Sequence, residues 1–510
     1  MPRMSRLIQS TAIALCLPAT AALADLTAAD VWADWKSYMT ESGYSVSGNE
    51  EAAGDTLTVD DVVLNMDFAD ADEIESAGII LGTMQFVERD DGSVDIDLPG
   101  TSSVAIAFQS ETGETINVAI DVSQSDHSYV ASGDPSALRY VYQAGMAQVN
   151  LAELMVDGVS LGEQVAKVNM TMNEVGITTD TTSGDGRSIA QVMSIASIDY
   201  DLSFNDPAGE GAFSVTGAVE GVGVDGTGAM PFGVDTQDFN AMLKAGLFGA
   251  GTLTTQGGTY DASFNGPEGS GTINGVSEGS TIGFSMSSVG LAYDIVQRNV
   301  AVNMLVSAFP LPVSFNAAEM GSSFQMPLQK SQDEQDFGLG LTLSDFTMSD
   351  VIWSLFDPSA QLPREPATIA VDLSGKAKLL LDLLDADQAE VLEETGAVPG
   401  ELNALTLNTL NIDAAGAKLT GSGDFVFDNT DLTTFDGLPR PEGGIDLQLV
   451  GGNGLLDKLV NMGLLPEDQA IGARMMMGLF AVPGEGADTL NSRIEVNDQG
   501  HVLANGQRIR

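Results

Sequence analysis

The sequence predicts a mainly β protein, an elongated, curved antiparallel sheet with a few short helices packed on its concave side. Three observations lead to this prediction. Several segments alternate apolar and polar side chains with a period of two, turn residues separate these segments, and no long helices lie between them. Strands with one buried and one wet face alternate in this way, whereas strands buried on both faces of a parallel sheet read as continuous apolar runs.

The alternation is clearest in four segments, at 62–68, 116–122, 166–173 and 369–374. Turn signals such as Asp91-Gly92, Asp206-Pro207 and Gly266-Pro267 stand between strands. The remaining helical patterns are short and separate, near 235–247, 349–356 and 386–394, with a pair near 454–480.

An internal echo lies in the middle of the chain. The segment from Tyr200 to Pro207, YDLSFNDP, recurs 60 residues later from Tyr260 to Pro267 as YDASFNGP. Each copy continues into a glycine-rich stretch, which predicts two β-hairpins at 200–226 and 260–285 whose Tyr, Leu or Ala, and Phe side chains face inward. Similar hairpins that are added edge to edge extend one sheet.

The first 24 residues have the features of a secretory signal peptide. Arg3 and Arg6 precede an apolar stretch, and Ala22-Leu23-Ala24 has the small-x-small pattern of a cleavage site. The stretch is shorter than the roughly 20 residues of a membrane-spanning helix. We therefore expect cleavage after Ala24, a periplasmic protein, and no transmembrane segment in the mature chain.

A helix is predicted within residues 25–45, directly after the signal peptide. Thr27 and Asp30 form a capping-box-like start, Trp35 and Tyr38 share one face, and Gly43 ends the helix. We expect the aromatic side chains to pack on the sheet. The domain plan continues with an antiparallel β region at 46–440, and a C-terminal helix pair with a closing hairpin at 441–510.

The charge and cysteine content exclude several classes of protein. The net charge is −52, and such a surface repels nucleic acid and anionic headgroups. The acidic residues are dispersed, which favours solubility in a salty medium, with calcium binding as the alternative. The one cysteine, Cys16, lies in the signal peptide, so neither disulfides nor Cys-ligated metals are expected in the mature protein.

Catalytic motifs are weak. The two histidines, His127 and His501, have no second metal ligand at a suitable spacing. Gly158 to Gly162 matches the nucleophile-elbow pattern around Ser160, but the segment that follows alternates like a strand where the pattern requires a helix. We expect a protein that is not an enzyme, with no catalytic residue, no cofactor and no metal site.

The C-terminal helix pair carries three adjacent methionines, Met475, Met476 and Met477, after a junction at Pro466. Flexible methionine side chains adapt to irregular apolar surfaces. Core filling is one interpretation of these residues. A wall for an apolar ligand is the other, speculative one.

The order of these features resembles a known family. A signal peptide, a β-rich middle and a helix pair precede a closing element, which reads Ile494-Glu495-Val496, Gly500, Leu503 and Asn505-Gly506. This arrangement resembles an uncharacterised alphaproteobacterial envelope family, the domain of unknown function twenty-one twenty-five. The closing element is also similar to one in AsmA-like envelope proteins. The first resemblance implies no catalytic residues, and the second implies a groove-shaped sheet that shields lipid tails.

Two functions from different classes follow as hypotheses. The leading one is a periplasmic, non-catalytic protein that binds or shields a lipid or other apolar ligand. The alternative is a structural or interaction protein of the cell envelope that has a protein partner and no small-molecule ligand. A lipid binder is expected to contain a lined cavity of roughly 1,000 Å³ or more.

Overall fold

A computed structural model describes residues 26–67, 74–109, 115–235, 238–385, 388 and 398–510. The described residues form a single antiparallel sheet of 27 strands with five short helices. The predicted fold class, an elongated, curved antiparallel sheet with a few short helices, is confirmed. The predicted signal peptide and, except for residue 388, the helix expected at 386–394 lie outside the described residues.

Long runs of strands separate the five described helices. The helices are α1 Ala28–Glu41, α2 Phe239–Lys244, α3 Asp350–Phe356, α4 Gly452–Asn461 and α5 Glu467–Phe480. The strands are β1 Ser45–Ala53, β2 Thr56–Asp67, β3 Ile74–Glu88, β4 Val94–Asp97, β5 Thr101–Gln109, β6 Thr115–Ser125, β7 Ser128–Asp134, β8 Ala137–Val156, β9 Val159–Leu161, β10 Ala166–Ser183, β11 Gly186–Asn205, β12 Ala212–Pro231, β13 Phe248–Thr255, β14 Gly257–Gly266, β15 Gly269–Ser277, β16 Ser280–Ser287, β17 Gly290–Val306, β18 Phe309–Met326, β19 Gln335–Met348, β20 Ala367–Leu379, β21 Gly400–Ala414, β22 Ala417–Asp428, β23 Arg440–Val450, β24 Val482–Pro483, β25 Thr489–Val496, β26 Val502–Ala504 and β27 Gln507–Arg508.

The sheet is a meander in which almost every strand pairs with its neighbours in sequence. In four places two short strands together match one long partner: β4 and β5 on β3, β6 and β7 on β8, β13 and β14 on β12, and β15 and β16 on β17. The connections are therefore local. A chain with this topology extends its sheet by one strand at a time.

A row of irregular positions, which we call the bulge row, crosses the sheet from β2 to β19. Its members have positive φ between 48° and 58° in the middle of a strand or between two collinear strands: Asp61, Asp126, Glu174, Gly221, Asn299 and Asp345. The ladders keep the same register on both sides of Glu174. Neighbouring strands therefore carry their extra residue at the same level. Since bulges bend strands and increase their twist, the row curves the whole sheet.

Helix α1 covers the N-terminal end of the sheet. Its capping box at Thr27 and Asp30 is present as predicted, and Gly43 follows the helix with a φ of +92°. Val31 and Trp32 are buried in one core with Phe86. The predicted packing of the aromatic side chains holds for Trp32 and for Trp35, which lies against the same core. Tyr38 is 40% exposed, and its ring contacts the sheet through Arg187 of β11, whose Cζ lies 5.5 Å from the ring centroid.

A buried ion-pair network ties α1 to strands β8 and β11. The Arg187 guanidinium donates to Asp34 Oδ1 at 2.7 Å and to Glu41 Oε2 at 3.1 Å, and the hydroxyl of Tyr140 donates to Asp34 Oδ2 at 2.7 Å. Burial alone lowers the pKa of Arg187, but the hydrogen bonds to both carboxylates outweigh it and raise that pKa. The Arg187 side chain is only 4% exposed. The network therefore fixes the helix on the sheet.

Loop carboxylates organise the C-terminal region. The N-cap of helix α4 is Gly451, which has no side chain that could accept a hydrogen bond. Asp488 instead accepts hydrogen bonds from the backbone N–H groups of Asn453 and Gly454. Asp431 accepts from the hydroxyl and the backbone N–H of Thr434, which lower the pKa of Asp431 to about 2. Each carboxylate therefore accepts hydrogen bonds from backbone N–H groups in place of a backbone carbonyl.

Candidate functional site

One side of the sheet is apolar along almost its whole length. Directly paired residues lie on the same face, so the strand register identifies this surface, which we call the apolar face. On one side of the bulge row it includes Val175, Ile177, Met193, Ile195, Val222, Val224, Leu253, Ile282, Phe284, Tyr293, Ile295, Phe324, Leu339, Leu341, Val371, Leu373, Leu405 and Leu407. On the other side it includes Val168, Met170, Met172, Ile198, Tyr200, Leu202, Phe204, Phe213, Val215, Val219, Tyr260, Phe264, Ile273, Val302 and Met304.

The bulge row keeps both halves of this surface on one side of the sheet. Met172 and Val175 both belong to the second core cluster, and the two residues between them, Asn173 and Glu174, point away from it. Ile195 and Ile198 repeat the same spacing on β11. In a strand that alternates strictly, two residues three positions apart lie on opposite faces of the sheet. The extra residue in each strand therefore makes the apolar face continuous.

Charged side chains are almost absent from the apolar face. In the described strands from β10 to β25, the register places one charged residue on it, Arg187, which lies beneath α1. Charged residues of the same strands, such as Lys167, Asp201 and Asp294, lie on the opposite face, which we call the polar face. The two surfaces of the sheet therefore differ sharply in chemistry.

The sequence echo forms the centre of one half of the apolar face. Tyr200 pairs with Gly217, Gly217 pairs with Tyr260, and Tyr260 pairs with Gly275. A Cβ added at either glycine would lie 2.6 Å from Cζ of the neighbouring tyrosine, so each ring lies flat over a glycine. The Tyr, Leu or Ala, and Phe positions of the two hairpins share one face as expected. The expected inward position is wrong for Phe204 and Phe264, which are exposed. This arrangement uses glycine to make room for large rings on a thin sheet.

Three phenylalanines form an uncovered row at the outer end of these hairpins. Phe204 pairs with Phe213, which pairs with Phe264. Their exposed fractions are 49%, 48% and 38%. A depression of about 760 Å³ near Phe213 and Phe264 is lined mostly from the polar face, by residues that include Ser203 and Ser263. Side chains of this size are seldom left in water without a function.

A second uncovered area lies beyond the bulge row, in the row Phe284, Tyr293, Phe324 and Leu339, which continues through Leu373 to Leu407. The rings of Tyr293 and Phe324 stack with centroids 5.6 Å apart. Phe284 and Leu339 are 47% and 51% exposed. The alternation at 369–374 predicts that Leu373 shares a face with Ile369 and Val371, but the sequence pattern does not show which parts of the row the other described elements leave exposed.

The depressions found along the described part of the sheet are open rather than enclosed. Their volumes run from about 660 to 760 Å³. They are smaller than the roughly 1,000 Å³ expected for a lipid cavity. The depression that contains Phe284 and Leu339 is lined mostly from the polar face, by residues that include Asp225 and Asp294. None of these depressions is the expected lipid-sized cavity, and the exposed apolar side chains described above lie on an open surface.

The three predicted methionines lie on α5, at the C-terminal end of the sheet. Met475 and Met476 are 72% and 54% exposed, and Met477 is half-buried. The last turn of α5 is fixed by the hydroxyl of Ser492, which donates to the carbonyl oxygen of Phe480 at 2.6 Å. None of the three methionines belongs to the paired rows of the apolar face.

Catalytic geometry is absent around the one sequence match. Ser160 is exposed on the short strand β9, where it pairs with Met155, and the next element is strand β10. The strand–turn–helix of a nucleophile elbow is therefore missing, and the match is accidental. In the described residues, no group of three or more His, Cys, Asp or Glu side chains is arranged to hold a metal ion. Within the same residues, every helix is too short or too polar to span a bilayer.

Comparisons with known proteins give little further information. No family profile and no curated protein matches the sequence. Among solved structures, BauA, the ferric preacinetobactin receptor from Acinetobacter baumannii, is 8% identical with a TM-score of 0.17, covering 91% of this chain and 78% of that chain. The unliganded ferric citrate transporter FecA is 9% identical with a TM-score of 0.15, covering 91% and 76%. TM-scores this low carry no argument about fold or function.

Proposed function

We propose that the chain is a non-catalytic, exported envelope protein that binds the apolar part of a lipid-like ligand on its apolar face. The observation that carries the proposal is the uncovered row Phe284, Tyr293, Phe324 and Leu339, in which three of the four side chains are more than a third exposed. Uncovered apolar surfaces of this kind on soluble proteins mark interaction sites.

The chemistry of this row favours acyl chains over a protein surface. From Phe284 to Leu407 the row crosses five strand spacings, about 24 Å at 4.8 Å each. An acyl chain spans half of the hydrocarbon core of a bilayer, about 15 Å. The row contains one polar side-chain group, the Tyr293 hydroxyl. Protein interfaces carry about one hydrogen bond per 100–200 Å², which a row with one hydroxyl does not supply.

The first test is equilibrium binding of a neutral apolar fluorophore, N-phenyl-1-naphthylamine, to the purified chain without detergent. Saturable fluorescence enhancement is expected, together with displacement by oleyl alcohol. The variant Phe284→Gln/Leu339→Gln should weaken binding by about tenfold or more, since each removed side chain loses about 1.5–3 kcal/mol of burial.

A matched control comes from the polar face. Phe248 and Val192 are 39% and 54% exposed, and the register places both on the polar face. Phe248→Gln/Val192→Gln should leave binding unchanged. Equal loss in both variants, or no saturable binding by the wild type, would refute the proposal. A second copy or another protein that buries the face would then be the better explanation.

A further inference from the structure

The polar face places carboxylates directly behind the proposed binding row. Asp225, Asp294 and Asp372 belong to one cross-strand row, which continues from β12 through Thr252, Gly283, Ser323 and Gly340 to β20. Three strand spacings separate each aspartate from the next, about 14 Å. Asp294 and Asp372 are the sequence neighbours of Tyr293 and Leu373 on the apolar face.

No basic side chain balances these three carboxylates in the described part of the chain. The nearby pair of Lys376 with Asp336, at 2.6 Å, neutralises a different aspartate. No salt bridge in the described residues includes Asp225, Asp294 or Asp372, although the side-chain amide of Asn408 donates to Asp372 at 3.3 Å. The charges of these three carboxylates are therefore not neutralised by any described lysine or arginine, so their field extends to both faces of the single-layer sheet.

The basic residues elsewhere do not form a site for an anion. Ion pairs with carboxylates occupy most of the described lysines and arginines, in the set Lys36, Arg89, Arg139, Lys167, Arg187, Lys244, Arg298, Arg364, Lys376, Lys418, Arg440, Arg474, Arg493 and Arg510. The net charge of −52 adds a repulsive potential around the whole molecule.

Resting on the proposed function, we infer that the apolar face takes an amphiphile whose polar part carries no net negative charge, such as a neutral or zwitterionic lipid. One layer of sheet separates the ligand from the row of aspartates by about 10 Å, close to the Debye length of 8 Å at physiological salt. Acyl chains confer affinity whatever the headgroup. The carboxylates and the overall charge then select among headgroups.

The test compares three ligands that share one chain: oleylamine, oleyl alcohol and oleate, each displacing N-phenyl-1-naphthylamine at pH 8. At 0.02 M salt the amine should bind more than tenfold tighter than oleate, because the two differ in the sign of their charge. At 1 M salt, where the Debye length is about 3 Å, the ratio should fall by about tenfold or more. Equal affinities at low salt, or a ratio that salt does not change, would overturn the inference.

A variant identifies the aspartates as the cause. Asp225→Asn/Asp294→Asn should strengthen oleate binding several-fold and leave oleyl alcohol unchanged. Asp336→Asn removes a carboxylate that is already paired with Lys376, and serves as the matched control. An Asp225→Asn/Asp294→Asn protein that binds oleate no better than this control would refute the role of the row. If none of the three ligands binds the wild type, the proposed function itself fails, whereas preferred binding of oleate contradicts only the headgroup inference.

Discussion

Helix α1 is attached to the sheet through Arg187. Removing the Arg187 guanidinium should lower the free energy of unfolding. In Arg187→Met the side chain keeps most of its volume, but Asp34 and Glu41 lose their cation. The Asp34 side chain is only 10% exposed, so water cannot replace the guanidinium fully. Breaking a buried pair by removing one partner costs about 3–5 kcal/mol. We expect the free energy of unfolding of the N-terminal region to fall by that amount.

The assay is urea unfolding followed by tryptophan fluorescence, because Trp32 and Trp35 lie on α1. The matched control is Arg139→Met. Arg139 pairs with Asp180 at 2.8 Å, but both side chains are about half exposed, and exposed pairs contribute about 0–1 kcal/mol. Hydrogen exchange of the α1 amides separates detachment of the helix from unfolding of the sheet.

A charge-balanced double variant tests the cause. Asp34→Asn/Arg187→Met removes one uncompensated carboxylate together with the cation, and should be more stable than Arg187→Met alone. The reasoning is refuted if Arg187→Met costs no more than Arg139→Met. It is also refuted if the double variant loses the sum of the two single effects, since that result would mean that the two residues act independently.

The remaining predictions concern packing, pH and capping. Gly217→Ala should destabilise by about 1–3 kcal/mol in chemical unfolding, because its methyl group would overlap the backbone carbonyl oxygen of Thr259 and the ring of Tyr200. Gly226→Ala, with no atom closer than 3.7 Å, should be close to neutral. The pKa of Asp431 is lowered to about 2, so its ionised form stabilises the fold above pH 3.8, and this stabilisation is lost as the pH falls towards 2. In acid titrations the stability of Asp431→Asn should therefore differ from that of the wild type at pH 6 and converge with it near pH 2. Asp488→Ala should cost about 0.5–2 kcal/mol and speed hydrogen exchange in the first turn of α4, and unchanged exchange there would contradict its capping role.

Local patterns in the sequence were enough to predict the sheet and its main helix. The alternation of Tyr200, Leu202 and Phe204 determines which side chains share a face. The folded sheet keeps this pattern because each strand pairs with neighbours whose side chains alternate with the same period of two. The capping box at Thr27 likewise depends only on adjacent residues. Such signals are short-range, so no knowledge of the tertiary structure is needed to read them.

The bulge row and the uncovered surface could not be predicted in the same way. Glu174 adopts a positive φ that glycine usually takes, and nothing in the local sequence marks it. Its position follows from the neighbouring strands, which carry their extra residues at the same level. The chemistry of Met475 and Met476 predicts contact with an apolar surface from the sequence alone. The exposure of Phe284 and Leu339 depends on the tertiary arrangement of the other described elements, which no local pattern encodes.

The large negative charge explains how the apolar face can remain exposed without causing self-association. A thin sheet that leaves Phe284, Leu339 and Leu341 about half exposed would pair with other copies of itself if nothing opposed the contact. The dispersed carboxylates of the polar face supply that opposition, because a net charge of −52 repels every other copy of the chain. An uncharged ligand does not experience this repulsion. A strongly acidic surface therefore opposes self-association through the apolar face, and it does not oppose the proposed binding of a neutral amphiphile.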